Sequence, residues 1–581
     1  MSCMGILVVR AVHLQVFKKD FLQERSSYVD TVSISAYRGI IEDRNGEPLA
    51  ISSPAPSITI NPKEFVKDDK TLIKQMEKQF RAKLGDESLT DSQKEGVKSL
   101  YRKEKVTKIG QLEKLLDLPV GKVNKILEEK KGKGFAYLEK QISPDIAEQV
   151  KALKLAGVDI LREFKRFYPS GEVTAHLHGF TDSKGIGQIG LEKSYETLLK
   201  GTDGEKRVIK DGHHQVIADV ENLASPIPGK NLELSIDQRI QYLAYRELQN
   251  AVNANKAKAG ALVVLDAKTG EVLAAVNQPS FNPNSKADLK EILYRNRALT
   301  EVFEPGSTVK PFVVAAALEG RYIRPGDLIV TDGVFPVGSN NVKDTHNYGT
   351  LDVEGVLKKS SNIGVAKMAL KMPIDYFCGI YRKLGFGDSP SSGFPGEVSG
   401  HMPVAKRMRD FDRAILAYGY GLNMSAIQLA RAYTALADDG ILHSVSLLKR
   451  DEDIDARRVF SEKTAKKVRT MMESVITKEG TAYEARVDGY RVAGKTGTAK
   501  KAGKHGYSAN SYFALFAGLA PASNPRLVIV VMIDEPSAGQ YYGGLVSAPV
   551  FSKVMGGALR LLGVAPDQEN TMPILLARKA P

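Results

Sequence analysis

Residues 304–320, EPGSTVKPFVVAAALEG, constrain this chain more than any other stretch. From Phe312 to Leu318 every residue is apolar, so a helix there has no face to offer water and must be enclosed by the rest of its domain. Only its beginning can meet a solute. Pro311 places that beginning, because a proline is best tolerated in a first turn, where backbone donors have no intrahelical partner. Gly320 supplies the stop. Ser307 and Lys310 then stand one turn apart on the same face, close enough for the amine to bond the hydroxyl. A weak nucleophile, an adjacent base and the positive end of a helix dipole are the parts of an activated serine.

The spacing alone is a common one. S-x-x-K recurs at Ser446 and Lys449, where SVSLLKR runs into charged residues and the lysine is expected to be a solvated surface charge. Taken singly, Ser307 reads as a helix N-cap and Lys310 as a surface charge. Context has to decide between the two.

At 581 residues the chain exceeds what one hydrophobic core organises, so two or more domains are expected. Lys and Arg outnumber Asp and Glu by 82 to 68, a net charge of +14 that serves solubility or attraction to an anionic surface. Only Cys3 and Cys378 are present, which excludes a disulfide framework. Residues 4–17 are apolar but interrupted by Arg10 and His13. They fall short of the roughly 20 residues a membrane span needs, and no signal-peptide cleavage pattern follows. They read as an amphipathic helix or as the tail end of a span, an anchor that looks truncated.

Residues 20–60 alternate in a strand-like way, and RGIIEDRNGEPLAISS forms a hairpin about Asn45 and Gly46. Residues 63–133 are lysine-rich with helical periodicity, the pattern of a solvated helical surface. A nucleic-acid site is the other reading of such a charge run, but nothing like an aromatic stacking platform is interleaved with the lysines. His176 and His178, two apart on an expected strand, would share a face, but no further ligands complete a metal set. His213 and His214 read as loop residues, and no metal or cofactor is expected.

SPIPGK, residues 225–230, is a linker and the expected domain boundary. Beyond it come a strand (LELSID), a helix (QRIQYLAYRELQNAV), a hairpin (ALVVLDAKTGEVLAAV) and the apolar helix. Two helices then meet at Ser360, Ser361 and Asn362, and a glycine loop leads into a long helix. Three β-rich runs and a helix from about Val550 close the chain. That order requires the first strand to join the late ones in a sheet with helices packed against it.

S-x-N occurs four times, but only Ser360 to Asn362 lies at a helix junction downstream of Ser307. K-T-G occurs twice: Lys268 to Gly270 in a hairpin turn, and Lys495 to Gly497, followed by Thr498, on an expected late strand. S-x-x-K, S-x-N and K-T-G in that order mark penicillin-interacting serine enzymes.

With these motifs in place, EPGSTVKP, KSSNIGVAK, AYGYGLNMSAIQLARAYTALADDGI and VAGKTGTA resemble the class B penicillin-binding proteins of the cell-division D,D-transpeptidase type. YRGIIEDRNGEPLA, RFYPSGEVTAHLHGFTD and GQIGLEKSYE carry the resemblance into the first part of the chain. The resemblance implies an α+β multidomain protein. Residues 1–19 would be the remnant of an anchor, 20–228 an elongated pedestal (dimerisation) domain, 229–565 a transpeptidase domain and 566–581 a tail. The transpeptidase domain would have an antiparallel sheet packed between helices, as in serine β-lactamases. The stretch from 69 to 108 is longer than the family's usual connection.

The resemblance also implies roles. Ser307 attacks the penultimate D-alanine of a peptidoglycan stem peptide, and Lys310 takes its proton, its pKa lowered by burial and by Lys495. Ser360 relays a proton to the leaving amine and Asn362 holds the substrate amide. Thr496 and Thr498, flanking Gly497, bind the terminal carboxylate beside Lys495, and the N–H groups of Ser307 and Thr498 form the oxyanion hole. Implied partners are stem peptides, β-lactams and division-complex membrane proteins including the lipid-linked glycan polymerase, with no nucleic acid. The implied location is the inner membrane, with the catalytic domain in the periplasm. Two other readings remain: transfer to water, as in a D,D-carboxypeptidase or β-lactamase, and a non-catalytic β-lactam sensor or division scaffold.

Overall fold

The computed structural model describes residues 28–568 apart from 67–69, 84–87, 162, 211–215, 286–289, 451–454 and 504–505. The amino-terminal apolar segment, His213 and His214, and residues 569–581 lie outside the described residues.

The expected hairpin forms from β1 (Ile41–Glu42) and β2 (Pro48–Pro54). The Asp43 carboxylate accepts hydrogen bonds from the backbone of Asn45 (2.7 Å) and Glu47 (2.9 Å), and Gly46 takes the positive φ of 84° that closes the turn. A second partner of β2 is β3 (Phe164–Phe167), and β1 is joined in parallel by β4 (Leu232–Glu233), giving the sheet order β4-β1-β2-β3. This corrects the expectation for LELSID. Its extended part is two residues long and pairs with the first part of the chain, because Asp237 already caps the next helix through Arg239 N. A separate three-stranded sheet joins Tyr28–Ile34 to Gly204–Lys210 and Val216–Ala224.

The lysine-rich stretch is helical, with α-helices over Lys70–Lys83, Asp91–Leu115 and Lys122–Glu129. Thr90 and Gln93 form a capping box at the start of the second. Leu112, Val123 and Ile126 turn inward onto Ile58 and Ile60, and lysines such as Lys94, Lys98 and Lys103 face solvent. His176 and His178 differ from the sequence expectation. They lie on a one-turn helix, Ala175–His178, with both rings buried and their nitrogens spent on protein groups. His176 Nε2 pairs with Leu293 O, and His178 pairs with Gly179 O and Thr174 Oγ1. Burial lowers their pKa values to about 4 and about 3, so both rings are neutral and packed.

Glu192, fully buried, is gripped by Arg38 (2.6 Å) and Arg166 (2.6 Å), two residues distant in sequence. Removing one partner of a buried ion pair leaves an uncompensated charge. Glu192→Ala is therefore expected to lower stability by about 3–5 kcal/mol, read as a fall in the urea midpoint with an unchanged slope.

The second part is built on α1 (Gln238–Ala254), the hairpin β5 (Ala259–Asp266) and β6 (Val272–Gln278), and the apolar helix α2 (Lys310–Glu319). Next come a small hairpin, β7 (Val334–Val337) and β8 (Asn340–Lys343), and helices α3 (Val353–Lys358), α4 (Asn362–Lys371) and α5 (Ala426–Ala437). The chain closes with β9 (Ala493–Gly503), β10 (Gly506–Ala520), β11 (Leu527–Asp534) and α6 (Ala548–Leu561). The hairpin joins the late strands in one antiparallel sheet of order β6-β5-β11-β10-β9.

Successive residues of a strand face opposite ways, and here both faces are covered. Ala261, Val263 and Leu265 of β5 pack into the core that holds α2 and α5, whereas Leu262 and Val264 pack into the core that holds α1 and α6. Helix α2 is enclosed as its composition requires, with Phe312 to Ala317 all fully buried. Burying one such large side chain is worth about 1.5–3 kcal/mol. Among the described residues, no helix is long and apolar enough to cross a membrane.

Candidate active site

The start of α2 is a 3-10 turn, Gly306–Val309, followed by the α-helix proper from Lys310. Ser307 sits in that turn and is partly exposed, while Lys310 is fully buried. The turn is held from three sides. Gly306 N donates to Gly419 O (3.1 Å), Tyr433 Oη to Thr308 O (2.8 Å), and Thr308 Oγ1 to Pro305 O (2.7 Å).

Ser360 occupies the joint between α3 and α4 with φ +58°, and Ser361 caps α4 by accepting from Gly364 N (2.9 Å). Lys310 Nζ donates to Ser360 O (2.5 Å), Asn362 Oδ1 (2.7 Å) and Ser360 Oγ (3.2 Å). From β9, Lys495 Nζ donates to the same Ser360 Oγ (2.9 Å) and to Thr496 O (3.2 Å). One hydroxyl thus receives two fully buried amines brought together from positions 310 and 495.

Gly497 explains how β9 comes so close to the serine. A Cβ there would lie 2.9 Å from Thr308 Cγ2 and 3.0 Å from Pro305 O, so only a glycine lets the Ser307 turn rest on the strand. Thr496 Oγ1 pairs with Thr481 Oγ1 (2.8 Å), and Thr498 Oγ1 accepts from Gly543 N (3.3 Å). All eight residues singled out in the sequence therefore lie around one set of contacting elements. The rejected copies lie elsewhere: Lys449 is exposed beside Glu233, and Lys268 is bound to Asp438.

One expected contact is not made. No hydrogen bond joins Lys310 Nζ to Ser307 Oγ. The buried amine instead satisfies Ser360 O and Asn362 Oδ1, and the Ser307 hydroxyl stands at the partly exposed end of the turn.

Residues 260–556 match the penicillin binding protein transpeptidase domain, and residues 33–234 the penicillin-binding protein dimerisation domain. The chain is 42% identical to the peptidoglycan D,D-transpeptidase FtsI of Escherichia coli K12 over 573 residues, 98% of this chain and 91% of that protein. It is 40% identical over 569 residues to the probable peptidoglycan D,D-transpeptidase PenA of Neisseria meningitidis, covering 97% and 92%. Among solved structures, the transpeptidase domain of Burkholderia pseudomallei penicillin-binding protein 3 is similar. It has a TM-score of 0.54 and 45% identity, and the match covers 58% of this chain and 98% of that one. The chain belongs to the class B penicillin-binding proteins.

In this penicillin-binding protein the charge states of the two amines follow from burial. Desolvation lowers Lys310 to about 7, against the opposing pull of the Asp344 carboxylate. Lys495 is pushed well below the ordinary lysine range, first by burial and then by repulsion from Lys310. Repulsion between two buried ammonium groups is mutual, so each amine makes the other's proton easier to lose. Two amines sharing one hydroxyl repel too strongly for both to hold their protons near neutral pH.

Asp344 was not anticipated. It follows β8 and accepts hydrogen bonds from Ser361 Oγ (2.5 Å), Asn362 N (2.5 Å) and Ile363 N (3.1 Å). An aspartate in a loop rich in Gly, Asn and Asp carries no spacing signal that would tie it to a helix 17 residues later.

Proposed function

We propose that this penicillin-binding protein is a septal peptidoglycan D,D-transpeptidase that works through an acyl-enzyme on Ser307. The observation that carries the reading is the single Ser360 hydroxyl held by two buried lysines beside the Ser307 turn. Residues 20–228 serve as the pedestal and 229–565 as the transpeptidase domain, with the boundary in the proline-containing linker.

Ser307 Oγ attacks the carbonyl carbon of the penultimate D-alanine, and its proton passes to neutral Lys310 as substrate draws the hydroxyl and amine together. The tetrahedral oxyanion lies between the N–H groups of Ser307 and Thr498. Collapse breaks the peptide bond, and the departing D-alanine nitrogen takes a proton relayed through Ser360. The amine of a second stem peptide then attacks the ester carbonyl, loses a proton to the same base, and forms the cross-link as Ser307 is released.

Asn362 is suited to hold the substrate amide. Its Oδ1 is committed to Lys310 and one Nδ2 hydrogen to Lys343 O (2.9 Å), which leaves a second N–H for a substrate carbonyl. Thr496 and Thr498 bind the terminal carboxylate beside Lys495, and Gly497 keeps the strand close to the nucleophile. A β-lactam opens on the same oxygen and stays as a stalled acyl adduct. In the same reading the protein is anchored at the inner membrane by a single span, with the catalytic domain in the periplasm. The pedestal meets division-complex membrane proteins, including the lipid-linked glycan polymerase.

The test uses purified protein with a donor stem pentapeptide and an acceptor amine. Cross-linked product in excess of hydrolysed donor is expected. Hydrolysis alone would make the protein a carboxypeptidase, and acylation without turnover would make it a sensor.

A further inference from the structure

We propose that Asp344 is a positioning residue for the reaction: from the end of the β7–β8 hairpin it fixes the Ser360–Asn362 junction and places a carboxylate charge near Lys310. The proposal rests on the Ser307 reading above.

The geometry separates two effects. The three hydrogen bonds that Asp344 accepts bind the first turn of α4 to the hairpin, where exposed backbone donors and the helix dipole favour an anion. Asp344 N in turn donates to Gly333 O (3.1 Å), and the preceding residue, Lys343, uses its carbonyl to orient the Asn362 amide. With that amide nitrogen committed, Asn362 Oδ1 is left facing Lys310. Hairpin, Asp344, Asn362 and Lys310 thus form one chain of contacts that holds the buried amine from a separate loop.

The second effect is charge. Asp344 is the group that opposes the burial-driven fall of Lys310. Other charged groups on the elements around α2 have partners of their own, among them Lys367 on α4, which donates to Val330 O (2.7 Å). Lys495 on β9 is itself pushed well below the ordinary lysine range by burial and by Lys310, so it does not stand in for the Asp344 charge. Lys358 and Lys359, at the end of α3, are bound to Glu479 side chain and backbone. Arg469, on the helix Glu462–Glu473, is bound to Leu436 O and Asp439. Cys378 and Tyr381, on the helix Ile374–Lys383, are pushed up by burial and stay uncharged near neutral pH. Removing the Asp344 charge therefore lets Lys310 lose its proton at lower pH, so the base form appears earlier on a rising pH scale.

The experiment measures the second-order rate of acylation by a fluorescent penicillin between pH 5 and 9 for wild type, Asp344→Asn, Asp344→Ser, Asp344→Glu and Ser361→Ala. For Asp344→Asn the midpoint of the acid limb is expected to move by about one unit to lower pH, with a reduced plateau. Asp344→Ser, also neutral, is expected to move it the same way and gives the answer if the first variant fails to fold. Asp344→Glu and Ser361→Ala keep the charge and are expected to lower the plateau with the midpoint in place. An unmoved midpoint in both neutral variants would reduce Asp344 to a structural cap and overturn the proposal, as would an equal shift in Ser361→Ala. Failure of the wild type to acylate at any pH would sink the Ser307 reading itself and this inference with it.

Discussion

Lys310→Ala is expected to slow acylation by a fluorescent penicillin by roughly 10²–10⁴-fold, the usual worth of a positioned general base. The amine is fully buried, and its pKa of about 7 leaves a substantial neutral fraction at physiological pH. For the wild type this fixes the sign of the pH dependence. With Lys310 as the proposed base, the amine is protonated below about pH 7 and available above it, so the rate is expected to rise through that point. In Lys310→Ala the limb disappears along with the rate. The variant leaves Ser360 O and Asn362 Oδ1 without the amine, at about 1–3 kcal/mol for each acceptor left unsatisfied. It is therefore expected to be folded but less stable, and a thermal melt beside the rate separates lost chemistry from lost fold.

Gly419→Ala is expected to damage the site from behind. Gly419 has φ +85°, and a Cβ there would lie 2.1 Å from Gly306 O and 2.5 Å from Gly306 N. Both obstacles are backbone atoms of the turn that carries Ser307, so no side chain can swing away. A left-handed alanine costs about 1–3 kcal/mol, and overpacking adds about 1–3 more. The displaced turn moves Ser307. Because small misplacements of reacting groups are costly, acylation is expected to fall by about 10²-fold or more. Gly421→Ala is the control. It shares the positive φ (+76°), but its Cβ would meet nothing closer than Ile415 Cδ1 at 3.8 Å. A large difference in acylation between the two variants would assign the loss to the turn, and equal losses would assign it to backbone strain alone.

What the sequence made legible and what it did not divide along physical lines. Helix α2 could be read because an unbroken apolar run has only one place to go. The three motifs could be singled out because their flanks and order were distinctive, and the fold brings their residues onto contacting elements. The 3-10 turn at Ser307 could not be read, since it depends on backbone contacts with Gly419 that are more than a hundred residues away in sequence. Asp344 was hidden for the same reason: its meaning lies in three donors on another element. LELSID had a strand-like composition, yet Asp237 ended the strand early by capping α1, and Leu232–Glu233 paired with the first part of the chain. His176 and His178 have strand spacing, but the chain between Thr174 and Gly179 makes a single helical turn that spends both rings on protein groups. Local pattern fixes what a residue can do; distant contacts decide which of those things it does.

The central claim is that Ser307 is the nucleophile served by the two buried lysines. Peptide mapping by mass spectrometry after reaction with benzylpenicillin tests it most directly. The account predicts a single covalent adduct on Ser307 of the wild type and none in Ser307→Ala. An adduct on Ser360 or any other residue, or an unmodified but folded wild type, would contradict it.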